Sequence, residues 1–173
     1  MADAVMAKGK KVMAWEGFAP IVNEFVSKDI VIHSWENYYQ TTPQLLEAGF
    51  EIINSSWSPM YVVTPAAYWS QKEVFDWSVY RWRPVHPQSP YRGVTIEIPA
   101  SERVLGGQLL AWGDTIPTNF PTVAEGIAEE RRLVAERMAA LAENTWNREK
   151  LRNYAEFSAA YDSLARAAGI LIG

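Results

Sequence analysis

Asp29-Ile30-Val31-Ile32-His33-Ser34-Trp35 is a short apolar run with no polar alternation, and it ends on a tryptophan. Such a run suits a strand of a parallel sheet covered on both faces. Upstream, Lys10-Lys11-Val12-Met13-Ala14-Trp15 has the same character and the same ending, and residues 2–9 before it read as the end of a helix stopped by Gly9. Downstream, residues 42–49 read as a short helix, with Thr42 as N-cap, Pro43 at the first helical position and Gly49 as the stop. It feeds a third strand, Phe50-Glu51-Ile52-Ile53-Asn54.

Farther along, Ser70-Gln71-Lys72-Glu73 has the capping-box pattern and opens a helix through Val74, Trp77 and Arg81. Pro84, Pro87 and Pro90 then force a long irregular loop. Arg103 to Trp112 reads as a fourth apolar strand, with Gly106 and Gly107 where another backbone or a ligand can approach, and it too ends in Trp. From Thr122 the period turns helical, with Ile127, Val134, Met138, Leu141 and Thr145 on one face. Asn147 is placed to cap a last helix with apolar positions Leu151, Tyr154, Ser158, Tyr161 and Ala165. Strand and helix alternate four times, which implies a parallel sheet: half of an eight-stranded barrel, or a small open sheet.

The bulk composition excludes several classes of function. The 173 residues are 49% hydrophobic and carry a formal charge of −4, enough apolar mass for a real core and no basic stripe to follow a phosphate backbone. Nucleic acid is therefore not an expected partner. No apolar stretch reaches the roughly 18 residues that a membrane span needs, so no membrane partner is expected either. Residues 1–10 show neither a basic head with an apolar run nor a small-residue cleavage site, so no secretory signal is read there. With no cysteine and two histidines, thiol chemistry, disulfides and a histidine-rich metal site have no residues to build them, and no cofactor is expected. Aromatic content stands out, with eight Trp and eight Tyr.

In a parallel barrel the site lies at the C-terminal strand ends. Those ends here read Trp15-Glu16, Trp35-Glu36-Asn37, Asn54 to Tyr61, and Trp112-Gly113-Asp114. Aromatic faces pack on the C–H faces of a pyranose, and carboxylates and amides accept hydrogen bonds from its hydroxyls, so the pattern suits a sugar pocket. The plainer alternative is that these tryptophans fill a core.

The same residues resemble the family-20 glycoside hydrolases, which are exo-acting β-N-acetylhexosaminidases. Lys11 to Glu16 is similar to their fifth barrel strand, Val31 to Trp35 to the sixth, and Ala48 to Ser56 with Pro59-Met60-Tyr61 to the seventh. Val104 to Gln108 through Trp112-Gly113-Asp114 is similar to the eighth, and Leu133 to Trp146 to the closing helix. The resemblance implies the C-terminal half of a (β/α)8 TIM barrel, an α/β fold of about four parallel strands with outer helices, spanning residues 1–173 as one partial catalytic domain.

It also implies roles. Trp15, Trp35 and Trp112 would box in the 2-acetamido group and the sugar face, and Asp114 would hold hydroxyls on the far side of the ring. Tyr61 would donate its hydroxyl to the acetamido carbonyl, the internal nucleophile of substrate-assisted retaining hydrolysis. Asp114 stands where the family usually has Glu, and Val63 where an acid is common. The His-x-Gly-Gly-Asp-Glu motif of the fourth strand, which carries the general acid and the orienting aspartate, does not occur in this sequence. The chain is expected to be the downstream half of a longer catalytic domain. Its expected partners are glycans containing N-acetylglucosamine or N-acetylgalactosamine, and either an N-terminal half-barrel or further copies of itself. The alternative from another class is a non-catalytic domain: an interaction protein in which a four-unit sheet dimerises with the tryptophans as interface core, or a carbohydrate-binding domain.

Overall fold

The computed structural model describes residues 1–66, 68–146, 149 and 152–169. In chain order the elements are α1 (Ala2–Met6), β1 (Val12–Trp15), a 3-10 turn (Pro20–Val22), β2 (Ile30–Ser34), α2 (Thr42–Glu47), β3 (Ile52–Asn54), α3 (Trp57–Met60) and β4 (Tyr61–Val63). There follow α4 (Gln71–Asp76), β5 (Arg81–Trp82), β6 (Ile96–Glu97), β7 (Val104–Gly107), β8 (Leu110–Trp112), α5 (Ile116–Asn119), α6 (Val123–Trp146) and α7 (Tyr154–Ala167). They fall into two compact units, residues 1–58 with 79–108, and residues 59–78 with 109–173.

The first unit is built on a sheet of order β1-β2-β3-β7 in which every pairing is parallel, as the four apolar runs predict. Successive side chains of a strand point to opposite faces. Ile30, Ile32, Ile52 and Val104 therefore share one face, where they pack with Leu45, Phe50 and Trp82 into a buried cluster, and Val12 and Ala14 of β1 join its edge. Burying each of the larger side chains contributes about 1.5–3 kcal/mol. The Trp82 indole N–H donates to the Ser34 carbonyl at 3.3 Å, so the largest member of the cluster leaves no polar atom stranded. Helix α2 crosses from β2 to β3 behind an N-cap box: the Thr41 side chain accepts from the Gln44 N–H, and the Gln44 side chain returns the bond. The cap lies one residue before Thr42.

The second unit pairs β4 and β8 in parallel, with Tyr61 opposite Leu110 and Val63 opposite Trp112. Its helices pack around Phe75, whose ring lies 4.9 Å from Phe157 and 5.5 Å from Tyr154, with Leu133, Ala140 and Leu141 buried on α6. Gly126 lets α6 lie close against α5: a Cβ there would sit 2.2 Å from Ile116 Cγ2.

Several expectations are corrected. The run 103–112 is two strands, because β7 and β8 join different sheets. A register shift between Ile52 and Ile53 skips Leu105 on β7, a bulge after which the pairing resumes at Gly106 and runs to Gly107. The helix begun at Ser70 stops at Asp76 rather than reaching Arg81, which instead pairs in the antiparallel β5–β6 ladder that brackets the proline-rich loop. On α6 the buried side is Gly126, Leu133, Arg137, Ala140 and Leu141, while Ile127 and Met138 are exposed. Arg137 explains the offset, since its guanidinium donates to the Trp69 and Leu133 carbonyls and so is buried with its polar atoms satisfied. Asn147 and Leu151 lie outside the described residues, and the helix that follows, α7, is capped by Asn153. No helix among the described residues is long and apolar enough to cross a membrane.

Candidate functional site

In the first unit the strand ends are tied together by one carboxylate. Glu16 Oε1 accepts the N–H of Glu36 at 2.8 Å and of Tyr38 at 3.1 Å, and Oε2 accepts the Trp35 N–H at 3.0 Å and the Ser34 hydroxyl at 3.3 Å. Burial raises the carboxyl above its ordinary value, against the four hydrogen bonds that favour the anion. Glu16 is thus a positioning group: it fixes the backbone that carries Trp35. Trp15 stands one residue before it, 46% exposed, with its ring tilted over His33 at 4.9 Å.

His33 heads a second polar chain. Its Nδ1 lies 3.0 Å from Ser55 Oγ, and that hydroxyl donates to Gln108 Oε1 at 3.3 Å. With its proton given to Gln108, Ser55 is left to accept from His33 Nδ1–H, so the neutral ring carries its proton on Nδ1. Burial pushes the His33 imidazole down from its ordinary value. The chain joins the ends of β2, β3 and β7 beneath Trp15.

Trp35 lines a cavity of about 200 Å³ with Glu36, Trp57, Val85, His86 and Pro87. Glu36 is fully buried, and its Oε2 accepts the N–H groups of Val85 and His86, both at 2.7 Å. The proline-rich loop is pinned to the end of β2 through these bonds and through Ser89, whose hydroxyl donates to the Glu36 carbonyl.

In the second unit, Tyr61 and Trp112 lie on the paired strands β4 and β8 and stack nearly parallel, 10° apart with centroids at 6.2 Å. Tyr61 is buried, Trp112 is 48% exposed, and Asp114 is an exposed residue two positions on. Val63 is the direct partner of Trp112 in the ladder. The Thr115 hydroxyl bonds the Thr64 carbonyl at 2.6 Å and ties the two strand ends together.

Trp15 and Trp35 are therefore neighbours in one unit, and Tyr61, Trp112 and Asp114 are neighbours in the other. Sequence reading placed all five at strand ends, with Glu16 and Glu36 beside them as binding or structural carboxylates, and missed the His33–Ser55–Gln108 chain. The repeated Trp-Glu dipeptide hinted at the anchors, and nothing in residue spacing hinted at the chain.

Among solved structures, the crystal structure of Dispersin B resembles this chain with a TM-score of 0.61 at 17% identity, over 84% of this chain and 46% of that one. This chain thus spans about half the length of that structure, and the likeness is one of fold. No curated protein matches the sequence. Residues 1–149 match the catalytic domain of glycosyl hydrolase family 20. That domain is a TIM barrel, and four adjacent parallel strands with their helices are what part of such a barrel contributes. The chain belongs to glycosyl hydrolase family 20.

Proposed function

We propose that this chain supplies the sugar and acetamido pocket of a β-N-acetylhexosaminidase, for hydrolysis of terminal non-reducing N-acetyl-β-hexosamine residues, and lacks the Asp-Glu pair that does the proton chemistry. The observation that carries the reading is the stacked Tyr61–Trp112 pair, a buried phenol that opens β4 beside a half-exposed indole that closes β8, within the family match. In substrate-assisted hydrolysis the acetamido oxygen attacks the anomeric carbon as the glycosidic bond breaks, and a general acid protonates the leaving oxygen. Tyr61 is the group here to steady that acetamido oxygen. Trp112 is a stacking surface for the sugar ring and Asp114 a hydroxyl ligand, and the resemblance gives Trp15 and Trp35 of the first unit sugar-facing roles of their own. The acid and the orienting aspartate would come from an N-terminal half-barrel. The exposed Met13, Trp15 and Leu105 support a partner over the sheet, that half or a second copy.

The test is reconstitution. Alone, the chain hydrolyses no aryl β-N-acetylglucosaminide. Mixed with a segment carrying the upstream strands of a family barrel and their Asp-Glu pair, it does. In that mixture Trp112→Ala lowers kcat/KM by about 2–4 kcal/mol of transition-state stabilisation, and Tyr61→Phe acts mainly on kcat. Normal turnover by a folded Trp112→Ala variant overturns the assignment.

A further inference from the structure

The loop that leaves β2 displays two tyrosines from a backbone that is held on both sides of them. Glu36 and Asn37 before the pair and Gln40 after it are buried, while Tyr38 is half-buried and Tyr39 is 54% exposed. Asn37 has φ 52°, the one positive value outside glycine among the described residues. A left-handed residue of this kind persists where its surroundings over-determine it, and here they do. Asn37 Oδ1 accepts the Thr42 N–H at 2.5 Å and the Thr42 hydroxyl at 3.0 Å, and the Tyr38 N–H donates to Glu16. Gln40 Nε2 donates to the Phe18 carbonyl at 3.0 Å and to Asn23 Oδ1 at 3.1 Å.

The displayed rings continue a row that begins at Trp35. Ring centroids of Trp35 and His86 lie 6.1 Å apart, those of His86 and Tyr38 6.0 Å, and those of Tyr38 and Tyr39 4.8 Å, the last two contacts edge to face. The Tyr38 hydroxyl donates to Gln88 Oε1 at 3.5 Å, which brings an exposed amide side chain to the same rim. An exposed tyrosine on a fixed backbone adds little to the core. It offers a binding partner a broad apolar face, a hydroxyl and little freedom left to freeze. Such faces take the C–H side of a pyranose, while the phenol and amide groups take its hydroxyls. Tyr38, Tyr39 and Gln88 are neutral, which suits a neutral sugar rather than an ion.

We propose that Tyr38, Tyr39 and Gln88 form a second sugar subsite, which takes the ring linked to the sugar at Trp35, so that the chain selects oligosaccharides over single N-acetylhexosamines. This rests on the sugar-facing role of Trp35 and adds the substrate class to it.

The experiment is titration of the full chain with N-acetylglucosamine and with its β-1,4-linked disaccharide, N,N′-diacetylchitobiose, followed at the Trp35 indole N–H and at the ring resonances of Tyr38 and Tyr39. The monosaccharide is expected to move Trp35 and leave Tyr39 in place. The disaccharide is expected to move both and to bind at least about tenfold more tightly. In Tyr39→Ala the affinity ratio of disaccharide to monosaccharide falls to near one, and in Tyr39→Phe, which keeps the stacking face, most of it returns. Trp35 and Tyr39 report separately. A disaccharide that moves Tyr39 but not Trp35 defeats the role given to Trp35 and supports sugar binding at the tyrosines. Tyr38 and Tyr39 rings unmoved at saturating disaccharide, equal affinities for the two sugars in the parent chain, or a ratio that survives Tyr39→Ala overturns the proposal. So do Tyr39 shifts that follow protein concentration instead of disaccharide, since they mark a contact between chains.

Discussion

The two faces of the four-stranded sheet are made by alternating residues of the same strands, yet they have opposite fates. On β1, Val12 and Ala14 pack against the core cluster, while Met13 is 57% exposed and Trp15 46% exposed. On β2, Ile30 and Ile32 belong to that cluster, while His33 turns the other way, under Trp15 and into the Ser55–Gln108 chain. One face is a finished core of aliphatic chains closed by Phe50 and Trp82. The other is buried at Val31 in its middle and is aromatic and polar at its C-terminal edge, where the supporting bonds leave Trp15 exposed. A strand period of two thus separates residues that make the fold from residues available for work, and the contrast can be tested from either side.

The largest effect is expected on the closed face. Trp82→Ala removes a fully buried indole and its bond to the Ser34 carbonyl, and it should cost about 3–5 kcal/mol by chemical denaturation. Trp15→Ala on the open face should cost less than about 1 kcal/mol. Similar losses from the two substitutions would erase the distinction.

Next is the anchor at the edge of the open face. Glu16→Gln turns one acceptor oxygen into a donor facing N–H or O–H groups that already point at it, and a loss of about 2–3 kcal/mol is expected. Because Glu16 fixes the Trp35 backbone, the Trp35 indole resonance should move in the folded variant. A shift confined to residue 16 itself would return Glu16 to the status of an ordinary surface carboxylate.

Much of this contrast was legible in advance, for a physical reason. Long-range order in a parallel sheet is written in short apolar runs such as 30–34, whose burial leaves few alternatives, and the four strands lie side by side as read. Tryptophan at the end of an apolar run placed Trp15 and Trp112 at the last positions of β1 and β8 through residue type alone. The break between β7 and β8 was hidden because both pieces are apolar, and the change of sheet between Gly107 and Leu110 is a matter of backbone pairing that no residue type marks. The buried side of α6 was misread because apolar periodicity cannot foresee that Arg137 will be buried with its donors on the Trp69 and Leu133 carbonyls. The polar chain through His33 joins residues 22 and 53 positions apart, contacts that only the fold creates.

The smallest effect expected is that of pH on His33. Its imidazole is held below the ordinary value of 6.5, so the unfolded chain takes up the proton more readily than the folded one. The resulting stability is full above the ordinary value and is lost as pH falls through the folded-state value. Relative to His33→Gln, the parent chain should therefore lose stability between pH 7 and acidic pH in matched denaturant titrations. A gap between the two proteins that does not change with pH would show that His33 titrates as it would in the unfolded chain.

The most direct test is to ask whether the open face, and not the closed one, meets sugar. Indole N–H resonances of the full chain should be followed during titration with N-acetylglucosamine. The account predicts saturable shifts at Trp15 and Trp35, no shift at the buried Trp82, and loss of the Trp35 response in a folded Trp15→Ala variant. Equal movement of Trp82, or no movement of Trp15 and Trp35 at saturating sugar, would contradict it.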